Sequence, residues 1–228
     1  MKKRPIVLQA REVQAILAGH KTQLRRPYKY VPMLGDISQR SDLTPAWLEQ
    51  FGANTLCPLG RAGQLLYVRE TWLAEQGYHP GRRPKEKKLS IDYKATPTPG
   101  KCQGRIVDEP LGFQILHGVQ GALGMIDGRW RSPVCMPEWA SRLTLKIIKV
   151  ELQRLHQVEG NPDDAAEEMG WEPITPGSID FFRDPSDMSW SRHPDEAFPT
   201  WWDAVYGTTS PWEGDPWVWT ITFERIKP

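Results

Sequence analysis

No stretch of this sequence approaches the roughly 18–20 consecutive apolar residues that a membrane helix needs, so no membrane association is expected. Cysteine is scarce: Cys57, Cys102 and Cys135 are the only three in 228 residues. Their number is odd, their spacing is wide and no C-x-x-C occurs, which argues against a disulfide framework. They read as reduced, structural thiols of a cytoplasmic protein. Neither they nor the five histidines fall at ligand spacings, so no metal site and no other cofactor is expected. Ile6-Val7-Leu8 breaks at Gln9, too short for the apolar region of a signal peptide.

Net charge is nearly absent as well. Lys plus Arg is 29 and Asp plus Glu is 28, leaving +1. That excludes a globally basic nucleic-acid binder, but the balance hides a split. Residues 1–106 hold 19 basic and 8 acidic side chains, and residues 107–228 hold 10 and 20. Such asymmetry between halves points to a local face for polyanions. What is abundant is Trp, at 11, with 19 Gly and 21 Pro, a composition of turns and irregular connections rather than a helical bundle.

Along the chain, Ile6–Gln9 reads as a short strand, and Ala10–Gly19 as a helix with Val13, Ile16 and Leu17 on one face and Gly19 as its cap. Leu65–Trp72 reads as one strand and Ser90–Ala95 as another. Ser141–Leu155 is a long strand in which Ile147-Ile148 breaks the alternation, the mark of a bulge or a face change. Pro162–Met169 is an acidic helix with Asp163 and Asp164 at the positive end of its dipole. Pro199–Tyr206 reads as a short helix, and Pro216–Ile226 closes the chain as a strand. Trp201, Trp202, Trp212, Trp217 and Trp219 are assigned to packing, because alternate spacing on a strand buries one face. The pattern is α+β, a small mixed barrel without the regular βαβ rhythm of a parallel sheet, interrupted by insertions at about 28–60, 76–129 and 172–197.

Three segments carry candidate chemistry. Lys21, Arg25 and Arg26 read either as a solvated basic turn or as the cations of a cleft. Arg69-Glu70-Thr71-Trp72 closes a strand, where an ion pair would orient Arg69 and Trp72 would offer a stacking surface; a structural Arg–Glu pair beside a packed Trp fits the same residues. Arg142 heads the long strand near Trp130 and Trp139. Gly19-His20-Lys21-Thr22 is not a phosphate loop, since it follows a helix and lacks the upstream glycine. No G-x-S-x-G is present.

Together these residues resemble the ASCH domain, in the variety encoded by bacteriophages and prophages. The likeness is carried by Ile16-Leu17-Ala18-Gly19-His20-Lys21-Thr22-Gln23-Leu24-Arg25-Arg26 and by Gly63-Gln64-Leu65-Leu66-Tyr67-Val68-Arg69-Glu70-Thr71-Trp72. Trp130-Arg131-Ser132-Pro133, then Met136–Arg142, and finally Pro216-Trp217-Val218-Trp219 add to it. The resemblance implies a PUA-like fold, a small β-barrel with helices packed on it, in a single domain over 1–228. It also implies RNA or a nucleotide as partner, with Lys21, Arg25, Arg26, Arg69, Glu70, Trp72 and Arg142 lining a charged cleft. Some members of the family are amidohydrolases of N4-acetylcytidine that use a Lys, a Thr and a Glu. Here Lys21 matches the lysine, but Leu24 stands where the threonine would be and Gln64 where Asp is common. Gapless placement puts Met169 at the acid position, with Glu167 and Glu168 one or two residues away. An amidohydrolase would therefore use Lys21 and a glutamate of this helix, Glu168 being the nearer substitute. Other members have been linked to RNA cleavage, so a hydrolase of ribonuclease type is the further alternative. A third expectation is a scaffold whose acidic half contacts a host protein.

Overall fold

Short polar signals set where the elements begin and end. The computed structural model describes residues 3–28, 57–76, 88–96, 105–108, 130–173, 182–183 and 190–226. In chain order its regular elements are β1 (Arg4–Val7), α1 (Ala10–Ala18), β2 (Gln23–Pro27), β3 (Leu65–Arg69), β4 (Trp72–Gln76), β5 (Lys88–Tyr93) and β6 (Arg105–Asp108). They continue with β7 (Thr144–Arg154), α2 (Pro162–Met169), β8 (Glu172–Pro173), β9 (Phe182–Arg183), β10 (Trp190–Ser191), α3 (Pro194–Tyr206) and β11 (Trp217–Ile226). The chain is α+β, with β1, β2, β3, β7 and β11 in one sheet of five strands. Among the described residues that sheet is not closed into a barrel: β1 and β2 are its end strands and do not pair with each other. Among the described residues, no helix is long and apolar enough to cross a membrane.

The chain divides into two compact units. The first comprises Met1–Arg4, Ala15–Leu66 and Leu143–Pro228, and the second Pro5–Gln14 and Tyr67–Arg142. In the first unit β11 lies between β7 and β2, antiparallel to both. Between the partner pairs Thr222–Lys149 and Phe223–Ile147 the register slips by one residue. Ile148 is the extra residue, a bulge where the Ile147-Ile148 pair had broken the alternation. Trp219 and Ile221 are buried on one face of β11, and Val218 and Thr220 on the other. The second face is covered because Val218 joins a core built by α2, α3 and the turn after β7, including Leu155, Val158, Ala166, Phe198 and Trp202. Trp202 and Trp219 are therefore packing residues, as expected; Trp201 and Trp212 are half-buried but pack against the same core, and Trp217 is half-buried.

Helix α2 has the limits its sequence predicts. The Asn161 side chain accepts the Asp164 N–H, Pro162 occupies the first helical position, and Gly170 ends the helix at φ +76°. Helix α3 starts five residues earlier than predicted. Proline suits the first turn of a helix, but here Pro194 takes that place and Pro199 lies inside, with no N–H to give the Asp195 carbonyl.

Strand β2 ends the sheet. Tyr28 N–H donates to Trp217 O and Phe223 N–H to Thr22 O, so the even-numbered residues of β2 bond to β11 and the odd-numbered ones face the open side. On that side Arg25 O accepts from the Arg26 guanidinium at 2.9 Å, and Pro27 has no N–H to offer.

The second unit holds the antiparallel sheet β4-β5-β6 over a core of Trp72, Ala74, Ile91, Tyr93, Met136 and Ala140. The predicted strand 65–72 is two strands. The break falls at Glu70-Thr71, because the Glu70 N–H donates to Met136 Sδ at 3.4 Å instead of joining a ladder. The span 76–129 contains β5, where Ser90–Ala95 reads as a strand, and also β6, which the sequence did not signal; most of 28–60 lies outside the described residues.

Cys57 is buried, and burial pushes its thiol above the usual value, while Cys135 is exposed. A raised thiol carries less thiolate at a given pH. In a Cys102→Ser variant, native protein should therefore give one rapidly alkylated thiol, at Cys135, and a second only on unfolding. Two fast thiols in the native state would contradict this.

Candidate functional site

The residues singled out in the sequence form two groups, one in each unit. The first is built by β2 and α2. Residues two apart on an extended chain point to the same side, so Lys21 and Arg25 share a face. On α2, Asp164, Glu167 and Glu168 lie at helical spacings of three and four, opposite Ala165, Ala166 and Met169, which enter the core.

At the centre is Glu168. Its side chain and that of Lys21 are both 0 % exposed, with Nζ and Oε1 3.3 Å apart. Lys21 Nζ also donates to Glu168 O at 2.7 Å and Glu167 O at 3.4 Å. Both are last-turn carbonyls of α2, and Glu167 O also accepts the Gly170 N–H at 3.2 Å. Three acceptors therefore face an ammonium with three protons, and Lys21 both caps α2 and neutralises its glutamate. Arg25, 1 % exposed, holds Asp164 Oδ2 at 3.1 Å through Nη2. Its Nη1 is 3.8 Å from Glu168 Oε2, and Arg26 Nη1 is 4.0 Å from Oε1. Thr22 donates both its N–H and its hydroxyl to Glu167 Oε1.

Three cations thus surround one buried carboxylate, yet neither Glu168 oxygen makes a hydrogen bond among the described residues, and neither does Arg25 Nε or Nη1. Buried polar atoms of native proteins are nearly always bonded. Here an acceptor and a donor 3.8 Å apart are left with capacity. Arg26 (19 % exposed) and Asp164 (35 %) carry the cluster's edge to solvent.

The second group is differently wired from the expectation. Glu70 does not orient Arg69. It takes both ends of the Arg142 guanidinium, Nε and Nη2, at 2.8 Å each, and Arg142 lies 4.1 Å over the Tyr93 ring. Arg69 donates instead to Tyr67 Oη and Val134 O. Alternation explains the exchange: consecutive residues of an extended chain point to opposite sides, so Arg69 and Glu70 cannot readily share partners. Trp72 is 0 % exposed and packs edge-on against Trp139, so it has no surface on which a base could stack. Each cation of this group is spent on a protein partner, which is the structural reading of the motif.

Leu24 is fully buried in the core, and Thr22 is engaged by Glu167, so no hydroxyl of this segment stands free beside Lys21. Asp164, expected only as a charge at the positive end of the α2 dipole, also belongs to the group; its shared face with Glu168 was the available signal. Comparison with family models, with curated proteins and with solved structures found no match, so the ASCH resemblance rests on the sequence motifs alone.

Proposed function

We propose that this chain is a cytoplasmic RNA- or nucleotide-binding protein of the ASCH type with PUA-like ancestry, and that Arg25, Arg26 and Glu168 form the polar seat of its ligand. The observation carrying this is the buried Glu168 carboxylate, faced by three cations and hydrogen-bonded to none of them. A nucleobase edge presents a donor beside an acceptor, the complement of Glu168 Oε2 and Arg25 Nη1. Both atoms are closed to solvent, so a base would reach them only by displacing the Arg26 or Asp164 side chain at the cluster's edge. Arg26, at the rim, is placed for a phosphate.

The hydrolase reading draws less support. Lys21 Nζ donates to two carbonyls of α2 and lies 3.3 Å from Glu168 Oε1, contacts that serve to hold α2.

The test is a titration of ribonucleotides and short RNAs at several salt concentrations. Only Arg26 among the three cations has substantial exposed surface, so about one phosphate contact and a shallow log–log slope near −1 are expected. Absence of affinity at low salt would reject the reading. Release of cytidine from N4-acetylcytidine would favour the hydrolase instead. Recovery of one stoichiometric host protein without nucleic acid would favour a scaffold.

A further inference from the structure

The open end of the sheet in the first unit carries a second feature, made from residues that sequence periodicity assigns to packing. Trp217 is opposite Arg154 on β7 and accepts the Tyr28 N–H. Tyr28, Trp217 and Arg154 therefore lie side by side across three strands, on one face. All three are half-buried. The next rung inward is Arg26, Trp219 and Leu152. Arg154 lies 4.6 Å over the Trp217 ring, and Tyr28 and Trp219 are 5.9 Å apart, tilted by 37°.

One property separates this end from ordinary core: it carries two arginines beside three aromatic rings, and Tyr28 and Trp217 are only half-buried. The indole N–H groups of Trp217 and Trp219 are buried and meet no acceptor among the described residues, but the same is true of the packed Trp72, so they do not mark a ligand site. Partly exposed rings with a cation over one of them suit a flat group next to a negative charge. That is the chemistry of a nucleotide within a single strand.

We infer that the Tyr28–Trp217–Arg154 rung is a stacking platform for a base of single-stranded RNA, continuous with the Glu168 seat through Arg26. Arg26 belongs to the Trp219 rung by register, yet its guanidinium reaches to 4.0 Å from Glu168. The strand would thus pass round the β2 edge, with one base at Glu168 and a neighbour on Trp217. This rests on the RNA reading above and gives that reading its second contact.

The test is fluorescence anisotropy of a labelled single-stranded oligouridylate of about ten nucleotides, a length within the usual site sizes. Trp217→Ala and Arg154→Gln should each weaken binding by about 5- to 100-fold, the range for loss of one stacked base or its cation. Trp217→Phe, which keeps a ring, should retain most of the affinity but lose part of the tryptophan quenching. Arg154→Gln is on the half-exposed side and keeps the test open if Trp217→Ala does not fold. Wild-type-like affinity in both Trp217→Phe and Arg154→Gln with unchanged quenching would overturn the platform and leave the Glu168 seat standing. Binding of mononucleotides without binding of oligouridylate would do the same. Equal competition by heparin fragments, with no effect of Arg154→Gln, would reduce the contact to unspecific charge and overturn it too. Failure of the wild type to bind any nucleotide or RNA would remove both proposals.

Discussion

Glu168→Gln is expected to destabilise the protein by about 3–5 kcal/mol, the usual consequence of removing one partner from a buried ion pair. The side chain stays nearly the same size, so the effect isolates the charge. Lys21 and Arg25, 0 % and 2 % exposed at their side chains, would keep their positive charges without the buried carboxylate between them. Replacing both members, in Lys21→Met/Glu168→Leu, should recover much of the loss, because an apolar pair of similar volume is often as stable as a buried ionic one. Urea unfolding with a common m-value reads these differences directly. A loss below about 1 kcal/mol in Glu168→Gln would mean that the cations are compensated elsewhere, in the range of an ordinary surface pair. The doubly apolar variant has a second use. It should fold and fail to bind nucleotide, which separates the glutamate's role in the ligand seat from its role in holding the helix.

Trp72→Ala is the second large effect, about 3–5 kcal/mol, the range for truncating a buried aromatic. Trp72 has no exposed surface and packs with Ile91, Tyr93, Met136 and Ala140. Under conditions where the variant is still folded, its affinity for nucleotide should stay within about twofold of wild type, since a ring with no exposed surface has no area to offer a ligand. The sequence alone allows the opposite outcome, in which Trp72 stacks on the ligand; a large loss of affinity with little loss of stability would restore that role and refute the packing assignment.

What could be read from the sequence was whatever is decided within a few residues. The limits of α2 follow from Asn161, Pro162 and Gly170, all local signals. The bulge at Ile148 follows from two consecutive isoleucines in an alternating strand. The break between β3 and β4 has a distant cause: Met136 takes the Glu70 N–H and Arg142 takes its carboxylate, 66 and 72 residues further along. The same holds for the acid beside Lys21. Gapless spacing favoured Met169, but the position is decided by which face of α2 meets the core. Met169 enters the core, and that rotation brings Glu168 to Lys21. Polarity of the two faces shows this once the neighbouring strand is known, and not before.

The β2 edge has a consequence for solubility. An open sheet ends in a strand with unused backbone groups, and such a strand can recruit another chain into an extended sheet and so into aggregates. Here Pro27 removes one of the outward donors and the Arg26 guanidinium occupies the Arg25 carbonyl, so a foreign strand finds its bonding pattern interrupted at two successive outward positions. Among the described residues, the edge is therefore kept from self-association by its own side chains. A strand guarded in this way can be left open to a ligand without becoming a seed for precipitation.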